Sequence, residues 1–260
     1  MSEIVPGMSD EEPEPKKGGI LSWLKEIGCI VLAALVVSTL LRVFVVQMFQ
    51  IPSESMEKTL MIGDRIAVQK VVPWGRGDVV VFKDVYGWLG DEPEDPGWFG
   101  HALIFVGLAP DTANNYLVKR VIGTEGDRVA CCDVDGRVTV NGYALDEDAY
   151  IWTDQAAGEK PVPSAYSFDV TVPKGAIFVM GDHRNHSADS RFHFDDVVPG
   201  LADGEAAFVP ASAVQGSVAA VVFPFTRFSL LSRPAVFDSV PAPTSPAPDK
   251  PVITQLPTAR

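Results

Sequence analysis

Hydrophobic and polar positions divide this chain into one long apolar run, a series of short alternating runs, and polar ends. The long run, residues 24–46, reads LKEIGCIVLAALVVSTLLRVFVV. As a helix it would be roughly 34 Å long at ~1.5 Å per residue, which is enough to cross the hydrocarbon core of a membrane. Arg42 lies near enough to the far end to extend its charge into the interface. We predict a single membrane-spanning anchor over residues 24–46.

Two alternatives to an anchor fit this run less well. A cleaved signal peptide is disfavoured because acidic residues precede the run and no small residues follow it at the spacing of an A-x-A cleavage site. A buried core helix is disfavoured by the internal arginine. The positive-inside rule favours a cytoplasmic N-terminus by a small margin. The basic residues near the two ends of the run are Lys16, Lys17, Lys25, Arg42, Lys58 and Arg65.

After the anchor, short runs rich in Val, Ile and Phe recur between turn signals. Asp135-Gly136 lies between two such runs, in DVDGRVTV, and predicts a β-hairpin. Because no long helical period competes with these runs, we predict a mainly β domain over residues 47–238. The later run GSVAAVVFPFTRFSLL contains Pro224 and Arg227, so it predicts a buried strand rather than a second span.

Three segments fall outside this pattern. Residues 1–23 are acid-rich and residues 239–260 are Pro-rich without periodicity, so both are predicted to be disordered. Residues 86–115 form a turn-rich acidic insert. Its large apolar side chains either dip into the lipid interface or pack beneath their own loop, and the sequence favours neither. They are Trp88, Leu89, Trp98 and Phe99.

Charge and cysteine content narrow the possible partners. The chain has 21 basic and 34 acidic residues, a net charge of −13. No basic face is left to neutralise a phosphate backbone, so nucleic acid is not an expected partner. Cys131 and Cys132 are adjacent and could close only a strained ring, so we expect no structural disulfide. No cofactor is predicted.

Candidate chemistry begins directly after the anchor, where Ser53 and Ser55 lie in IPSESMEKTL. A serine hydroxyl is a poor nucleophile unless a base takes its proton. Three of the four histidines lie in GDHRNHSADSRFHFDD, so a Ser-His-Asp site is one possibility. The histidine would be His183, His186 or His193, and the carboxylate would be Asp182 or Asp189. His183 and His186 are spaced i, i+3 in a polar loop without an H-E-x-x-H glutamate, so no metal site is predicted.

A lysine is the other available base, but its pKa must be lowered for the amine to be neutral. In the run YLVKRVIG, strand alternation places Lys119 between Leu117 and Val121 on one face. These apolar neighbours would desolvate the amine and lower its pKa. The alternative is a strand-end lysine whose amine reaches water, and the alternation by itself favours that alternative.

The order of four motifs resembles that of bacterial type I signal peptidases, in the Gram-positive form with one N-terminal span. The motifs are FQIPSESMEKTLMIGDRI, GDVVVF, YLVKRVIGTEGDRV and FVMGDHRNHSADSRF. The resemblance covers Gln47 to Phe192 and the preceding anchor. It implies a catalytic domain of coiled antiparallel β-sheets in a membrane-anchored serine endopeptidase with a Ser-Lys dyad.

The resemblance also implies the substrate and the location. Members of this family cleave exported preproteins after the small residues of an A-x-A pattern, with the substrate held as an added β-strand. The enzyme would therefore lie in the cell membrane with its catalytic domain outside the cytoplasm. Exported preproteins and the lipid bilayer are the expected partners.

On this resemblance, Ser55 is the nucleophile and Lys119 is the general base. The backbone N–H of Ser55 and the hydroxyl of Ser53 would form the oxyanion hole. Ser187 matches the serine that orients the lysine amine. Asp189 and Arg191, with Asp182, match the polar group that supports the site, which would act as a structural ion pair.

Two motifs depart from the family pattern. Glu54 stands where the family often has glycine, so an ordinary backbone conformation is expected there. GDHRNHS replaces the common GDNRDNS, which puts His183 and His186 in place of amides and keeps a histidine base as a second hypothesis. A catalytically silent, membrane-anchored β-domain is a third, although Ser55 and Lys119 are both present.

Overall fold

The computed structural model describes residues 20–90, 97, 98, 100, 115–153 and 162–259. Helix α1, Ile20–Phe44, comes first and contains a stretch, Ser22–Leu41, that is long and apolar enough to cross a membrane. This stretch is not buried against the rest of the chain. The predicted anchor coincides with most of α1, but its last residue, Val46, begins the first strand.

Eight strands form the larger sheet. They are β1 (Val46–Gln50), β2 (Arg65–Gln69), β3 (Val79–Lys83), β4 (Tyr116–Gly123), β9 (Ala176–Met180), β10 (Val209–Pro210), β11 (Val214–Phe223) and β12 (Ser229–Leu230). Their order is β1-β2-β11-β3-β4-β9-β10, and β12 pairs with β11. Strand β9 is buried at every position, as expected of a strand covered on both faces. The run predicted as a buried strand rather than a second span supplies β11.

Five strands form the smaller sheet. They are β5 (Arg128–Cys131), β6 (Val138–Val140), β7 (Tyr143–Ala144), β8 (Tyr166–Thr171) and β13 (Val252–Ala259). Their order is β13-β8-β5-β6-β7. The hairpin predicted at Asp135-Gly136 is confirmed, because β5 and β6 pair antiparallel around Gly136, whose φ is 83°. Pairings in both sheets are antiparallel throughout the described chain, which confirms the predicted mainly β fold.

Three groups of buried side chains form the core. One group joins the two sheets and includes Ile122 of β4, Phe168 of β8 and Phe178 of β9. A second group lies under β1, β2 and β11. A third lies on β3, β4 and β9, and on β4 and β9 it covers the face opposite the first group. Strand β4 contributes to both faces, so it lies at the centre of the domain.

The C-terminal segment corrects one prediction, because residues 239–259, within the segment 239–260 that we expected to be disordered, are ordered. Val240 is buried, and β13 pairs antiparallel with β8. Ile253 packs against the core between the sheets. The register of β13 shifts between Gln255 and Thr258, around Pro257. A Pro-rich segment without periodicity can thus lie at a sheet edge, where a missing N–H is tolerated. The described chain starts at residue 20, so most of the N-terminal segment that we predicted to be disordered lies outside it.

A second correction concerns the adjacent cysteines. Cys131 and Cys132 are joined by a disulfide, where we expected none. Cys131 is the last residue of β5 and is buried, and Cys132 packs against the same core group.

Part of the insert packs against the domain. Trp88 contacts the rings of Phe82 and His193, and its Nε1–H donates to the Ala206 carbonyl at 3.0 Å. This favours packing over lipid contact for Trp88, whereas Trp98 is 83% exposed. Residues 91–96, 99 and 101–114 of the insert lie outside the described chain.

Asp127 connects segments that are distant in sequence. Its buried carboxylate accepts hydrogen bonds from Arg76 at 2.6 and 2.7 Å and from Asn141 at 2.8 Å. Arg76 and Asn141 also donate to the carbonyls of Val240 and Pro241. The carboxylate therefore fixes the C-terminal segment to both sheets.

We expect Asp127→Ala to destabilise the fold by about 3 kcal/mol or more, because it leaves a mostly buried guanidinium without its partner. Urea unfolding measures this loss. Asp169→Ala is the control, since its partner Arg128 is 63% exposed and such pairs contribute less than ~1 kcal/mol. Equal losses in the two variants would contradict this account.

Candidate active site

Ser55 lies in the turn between β1 and β2, and contacts on both sides fix this turn. The Ile51 N–H donates to the Asp64 carbonyl at 2.9 Å, which closes the base of the turn. Met56 and Leu60 are buried in the core group under β1 and β2. The apolar residues that follow Ser55 therefore hold the serine in place. We call residues 53–60, which contain the predicted nucleophile Ser55, the nucleophile turn.

Lys119 extends from β4 to the Ser55 hydroxyl. The distance between Lys119 Nζ and Ser55 Oγ is 2.6 Å. The two residues are 3% and 7% exposed, respectively. Leu117 and Val121 belong to one core group, as the alternation predicted. The alternative of a strand-end lysine in water is wrong, because the amine is enclosed.

Burial lowers the pKa of Lys119 to about 8, from its ordinary value near 10.5. The surrounding charges oppose one another, because Asp189 and Asp182 raise this pKa and Arg191 lowers it. Desolvation is the dominant effect, since it disfavours the charged form of a buried amine. A substantial fraction of the amine is therefore neutral at mildly alkaline pH.

Ser53 lies beside Ser55. The Oγ atoms of Ser53 and Ser55 are 3.4 Å apart, and Ser53 is exposed. Within the described residues, the Ser55 backbone N–H donates to no other backbone group. Glu54 is not among the residues with positive φ, as expected. Two donors are thus close together, while their role as an oxyanion hole stays a prediction.

Asp189 and Arg191 form a buried two-point ion pair. Arg191 Nε and Nη2 lie 2.8 and 2.7 Å from the two carboxylate oxygens, and the Gly181 N–H donates at 2.9 Å. Burial raises the pKa of Asp189, but the charge and hydrogen bonds of Arg191 and the Gly181 N–H hold it below its ordinary value. With both oxygens occupied, the pair has the geometry of a structural support.

Asp182 belongs to a separate ion pair, which refines our grouping of Asp182 with Asp189 and Arg191. Arg120 donates to Asp182 through Nε and Nη2 at 2.8 and 2.6 Å, and the Thr59 hydroxyl donates at 2.5 Å. Asp182 therefore ties the nucleophile turn to β4.

Sequence reasoning missed Arg120 and Thr59 as partners of Asp182. The alternation of β4 gives a signal for Arg120, because it places this arginine among apolar residues on the face opposite Lys119. A buried arginine in such a position needs a carboxylate partner. The pattern does not identify that partner, since Asp182 lies on a different segment.

Ser187 approaches the site across Gly181. Its Oγ has no partner of standard hydrogen-bond geometry among the described residues, although it lies close enough to Asp189 to help lower that pKa. A Cβ on Gly181 would overlap the Ser187 Oγ and lie 2.5 Å from the Ser55 carbonyl oxygen. No hydrogen bond joins Ser187 to the Lys119 amine in this part of the chain, so its orienting role stays a prediction.

The three histidines in the described part of the chain do not hydrogen-bond the Ser55 hydroxyl. The backbone N–H of His183 donates to the Ser55 carbonyl at 3.0 Å, but its ring faces Glu57, and the ring of His186 faces Glu54. No described histidine side chain hydrogen-bonds the Ser55 Oγ, and His101 lies outside the described chain. This geometry gives no support to the Ser-His hypothesis.

The chain matches the family described as Signal peptidase, peptidase S26, over residues 20–223. The chain belongs to this family. The matched span includes the nucleophile turn, β4 and the segment from Asp182 to Arg191. This confirms the resemblance, and with it the assignment as a serine hydrolase that cleaves signal peptides.

Similar proteins include two mycobacterial members of the family. Signal peptidase I of Mycobacterium tuberculosis is 36% identical over 243 residues, covering 85% of this chain and 79% of the relative. The probable signal peptidase I of Mycobacterium leprae is 37% identical over 237 residues, covering 83% and 80%. A crystal structure of a signal peptidase I from Enterococcus faecalis matches 56% of this chain and 97% of its own, with 22% identity and a TM-score of 0.33. That last likeness is too low to carry an argument.

Lys119→Met is expected to stabilise the folded S26 peptidase at neutral pH. The lowered pKa means that protonating the buried amine costs the fold about 3 kcal/mol below pH 8. Between about pH 8 and 10.5 the unfolded chain binds more protons than the folded one, so wild-type stability rises with pH across that window. Urea unfolding should show a gain of up to ~3 kcal/mol at pH 7 that shrinks towards pH 10.

Ser55→Ala is the control for this comparison, because it keeps the amine and should retain the wild-type dependence of stability on pH. A Lys119→Met variant that is less stable than wild type at pH 7, with no dependence of the difference on pH, would contradict the lowered pKa.

Proposed function

We propose that this S26 peptidase is a membrane-anchored endopeptidase in which Ser55 and Lys119 form a Ser-Lys dyad. The 2.6 Å contact between Lys119 Nζ and Ser55 Oγ, both buried, carries the proposal. A neutral amine at that distance can take the proton from the hydroxyl as the oxygen attacks. A silent β-domain would leave a costly buried lysine beside a serine without a purpose.

In the acylation step, Ser55 Oγ attacks the carbonyl carbon of the scissile peptide bond. Lys119 takes the hydroxyl proton and becomes an ammonium ion. The backbone N–H of Ser55 and the hydroxyl of Ser53 stabilise the tetrahedral oxyanion. As the intermediate collapses, the C–N bond breaks and the Lys119 ammonium donates its proton to the leaving amine. The products of this step are the free mature protein and a signal-peptide ester on Ser55.

In the deacylation step, the neutral amine of Lys119 takes a proton from a water molecule that attacks the ester. The ester C–O bond then breaks, and the ammonium returns the proton to Ser55 Oγ. One buried lysine thus serves both half-reactions, with no net change in the enzyme.

The surrounding polar groups support this dyad without exchanging protons. The buried Asp189–Arg191 pair neutralises itself, so its two charges oppose each other in setting the pKa of Lys119. Ser187 lies near Gly181 and the Ser55 carbonyl, which supports a role in orienting the lysine amine.

We place the enzyme in the cell membrane with a single span. The length, apolar character and exposure of α1 support an anchor that contacts the lipid bilayer. Strand β1 follows α1 almost directly, so the nucleophile turn lies close to the end of the span. The N-terminus would be cytoplasmic and the catalytic domain extracytoplasmic, where signal-sequence ends emerge.

The expected substrates are exported preproteins cut after small residues in an A-x-A pattern. Shallow apolar pockets that exclude large side chains would select these residues, with the substrate held as an added strand. The position of β1 at one end of the larger sheet, just before the nucleophile turn, supports docking at that edge.

Cleavage of a model preprotein in detergent tests the dyad. We expect Ser55→Ala and Lys119→Ala to remain folded and to lose on the order of 10³-fold or more in kcat/KM, because each removes one half of the reacting pair. Wild-type kcat/KM should rise with pH through about 8, since the amine must be neutral. Lys83→Ala, an exposed lysine on the neighbouring strand, is the matched control and should cleave normally.

Two outcomes would overturn the dyad. Retained cleavage in Lys119→Ala, with loss in His183→Ala or His186→Ala, would point to a histidine base. Failure of the purified wild-type protein to cut any preprotein would point to a silent domain.

A further inference from the structure

Two histidine side chains take no part in the proposed chemistry, yet both reach the nucleophile turn. His186 Nδ1 lies 2.7 Å from Glu54 Oε1, in a hydrogen bond. His183 Nδ1 lies 3.1 Å from Glu57 Oε2, an ion-pair distance without hydrogen-bond geometry. Both the glutamates and the histidines are spaced i, i+3, so they form two matched pairs. Glu54 and Glu57 flank Ser55 on the turn.

Ring stacking fixes the positions of the two imidazoles. The ring centroids of Trp152 and His183 are 4.1 Å apart, and those of His183 and His186 are 4.4 Å apart with an angle of 5° between planes. The Trp152 N–H donates to the Asp182 carbonyl at 2.9 Å. The His183 imidazole is buried and the His186 imidazole is exposed. The rings are therefore held by their neighbours in the orientation that meets the glutamates.

The segment that carries these rings also contacts the nucleophile through its backbone. The His183 N–H donates to the Ser55 carbonyl at 3.0 Å, and the His186 N–H donates to the His183 carbonyl at 2.9 Å. Residues 183–186 thus meet the nucleophile turn at Glu54, Ser55 and Glu57. These contacts lie on both sides of Ser55 in the chain, at Glu54 and at Glu57.

Metal binding does not explain the cluster. Across the described chain, no group of three or more His, Cys, Asp or Glu side chains has an arrangement that could hold a metal ion. Each imidazole Nδ1 instead faces one carboxylate.

We propose that His186 is a positioning residue, which holds the Ser55 hydroxyl within reach of the Lys119 amine through a hydrogen-bonded imidazole–carboxylate bridge to Glu54. His183 supports this bridge by stacking on the His186 ring and by donating its backbone N–H to the Ser55 carbonyl. The inference rests on the proposed dyad. Loss of a bridge would let the turn move relative to β4 while leaving substrate contacts elsewhere unchanged. Such a displacement lowers kcat more than it changes KM.

A double-mutant cycle on the His186–Glu54 bridge tests this proposal. It uses the full-length protein in detergent with a model preprotein. We expect Glu54→Ala and His186→Ala each to lower kcat roughly tenfold with KM little changed, since a small misplacement of a reacting atom is costly. The double variant should lose no more than either single variant, because both remove the same bridge. His186→Asn should restore most of kcat, since an amide can also donate to the Glu54 carboxylate.

Asp196→Ala is the matched control. It removes another imidazole–carboxylate pair, His193–Asp196 at 2.6 Å, whose imidazole stacks on Trp88 instead of contacting the nucleophile turn. This variant should keep wild-type kcat and KM. The bridge variants should also keep the rise of kcat/KM through about pH 8, because Lys119 remains the base.

Wild-type kcat in His186→Ala would overturn the positioning role, as would losses that multiply in the double variant. Activity of the bridge variants as low as that of Ser55→Ala, with no rise in kcat/KM near pH 8, would also overturn it. Full activity in Lys119→Ala would instead refute the dyad itself. The two failures are therefore distinguishable.

Discussion

The burial of one lysine amine against one serine hydroxyl is the constraint on which this active site depends. Lys119 is enclosed by apolar side chains of the larger sheet, and this desolvation lowers its pKa to about 8. The same burial costs folding free energy at neutral pH, so the fold carries an unfavourable group in exchange for reactivity. The nearby Asp189–Arg191 pair adds opposed charges and leaves desolvation as the dominant effect.

Three segments that are distant in sequence converge on this contact. Strand β4 supplies the amine, the nucleophile turn between β1 and β2 supplies the hydroxyl, and the segment after β9 supplies the supports. Asp182 joins all three, because Arg120 of β4 and Thr59 of the turn both donate to it. Gly181 allows the close approach that this convergence requires. The geometry of the dyad is therefore a property of the whole larger sheet.

Local patterns predicted the features that depend on neighbouring residues. Alternation along β4 placed Lys119 on an apolar face, and Asp135-Gly136 marked the β5–β6 hairpin. Long-range pairing was not predictable in this way. The carboxylate partner of Arg120 lies on another strand's end, and the Pro-rich C-terminal segment is ordered by pairing with β8 rather than by its own periodicity.

A direct titration of the Lys119 side chain tests the central claim most sharply. NMR of protein labelled with ¹³C at lysine Cε, with Lys119→Met to assign the signal, reports the protonation of this one amine. We predict a titration midpoint of about 8 for Lys119, well below that of the exposed lysines. A midpoint near the ordinary value of 10.5 would contradict it, because the amine would then be protonated at the pH where the proposed dyad requires a neutral base.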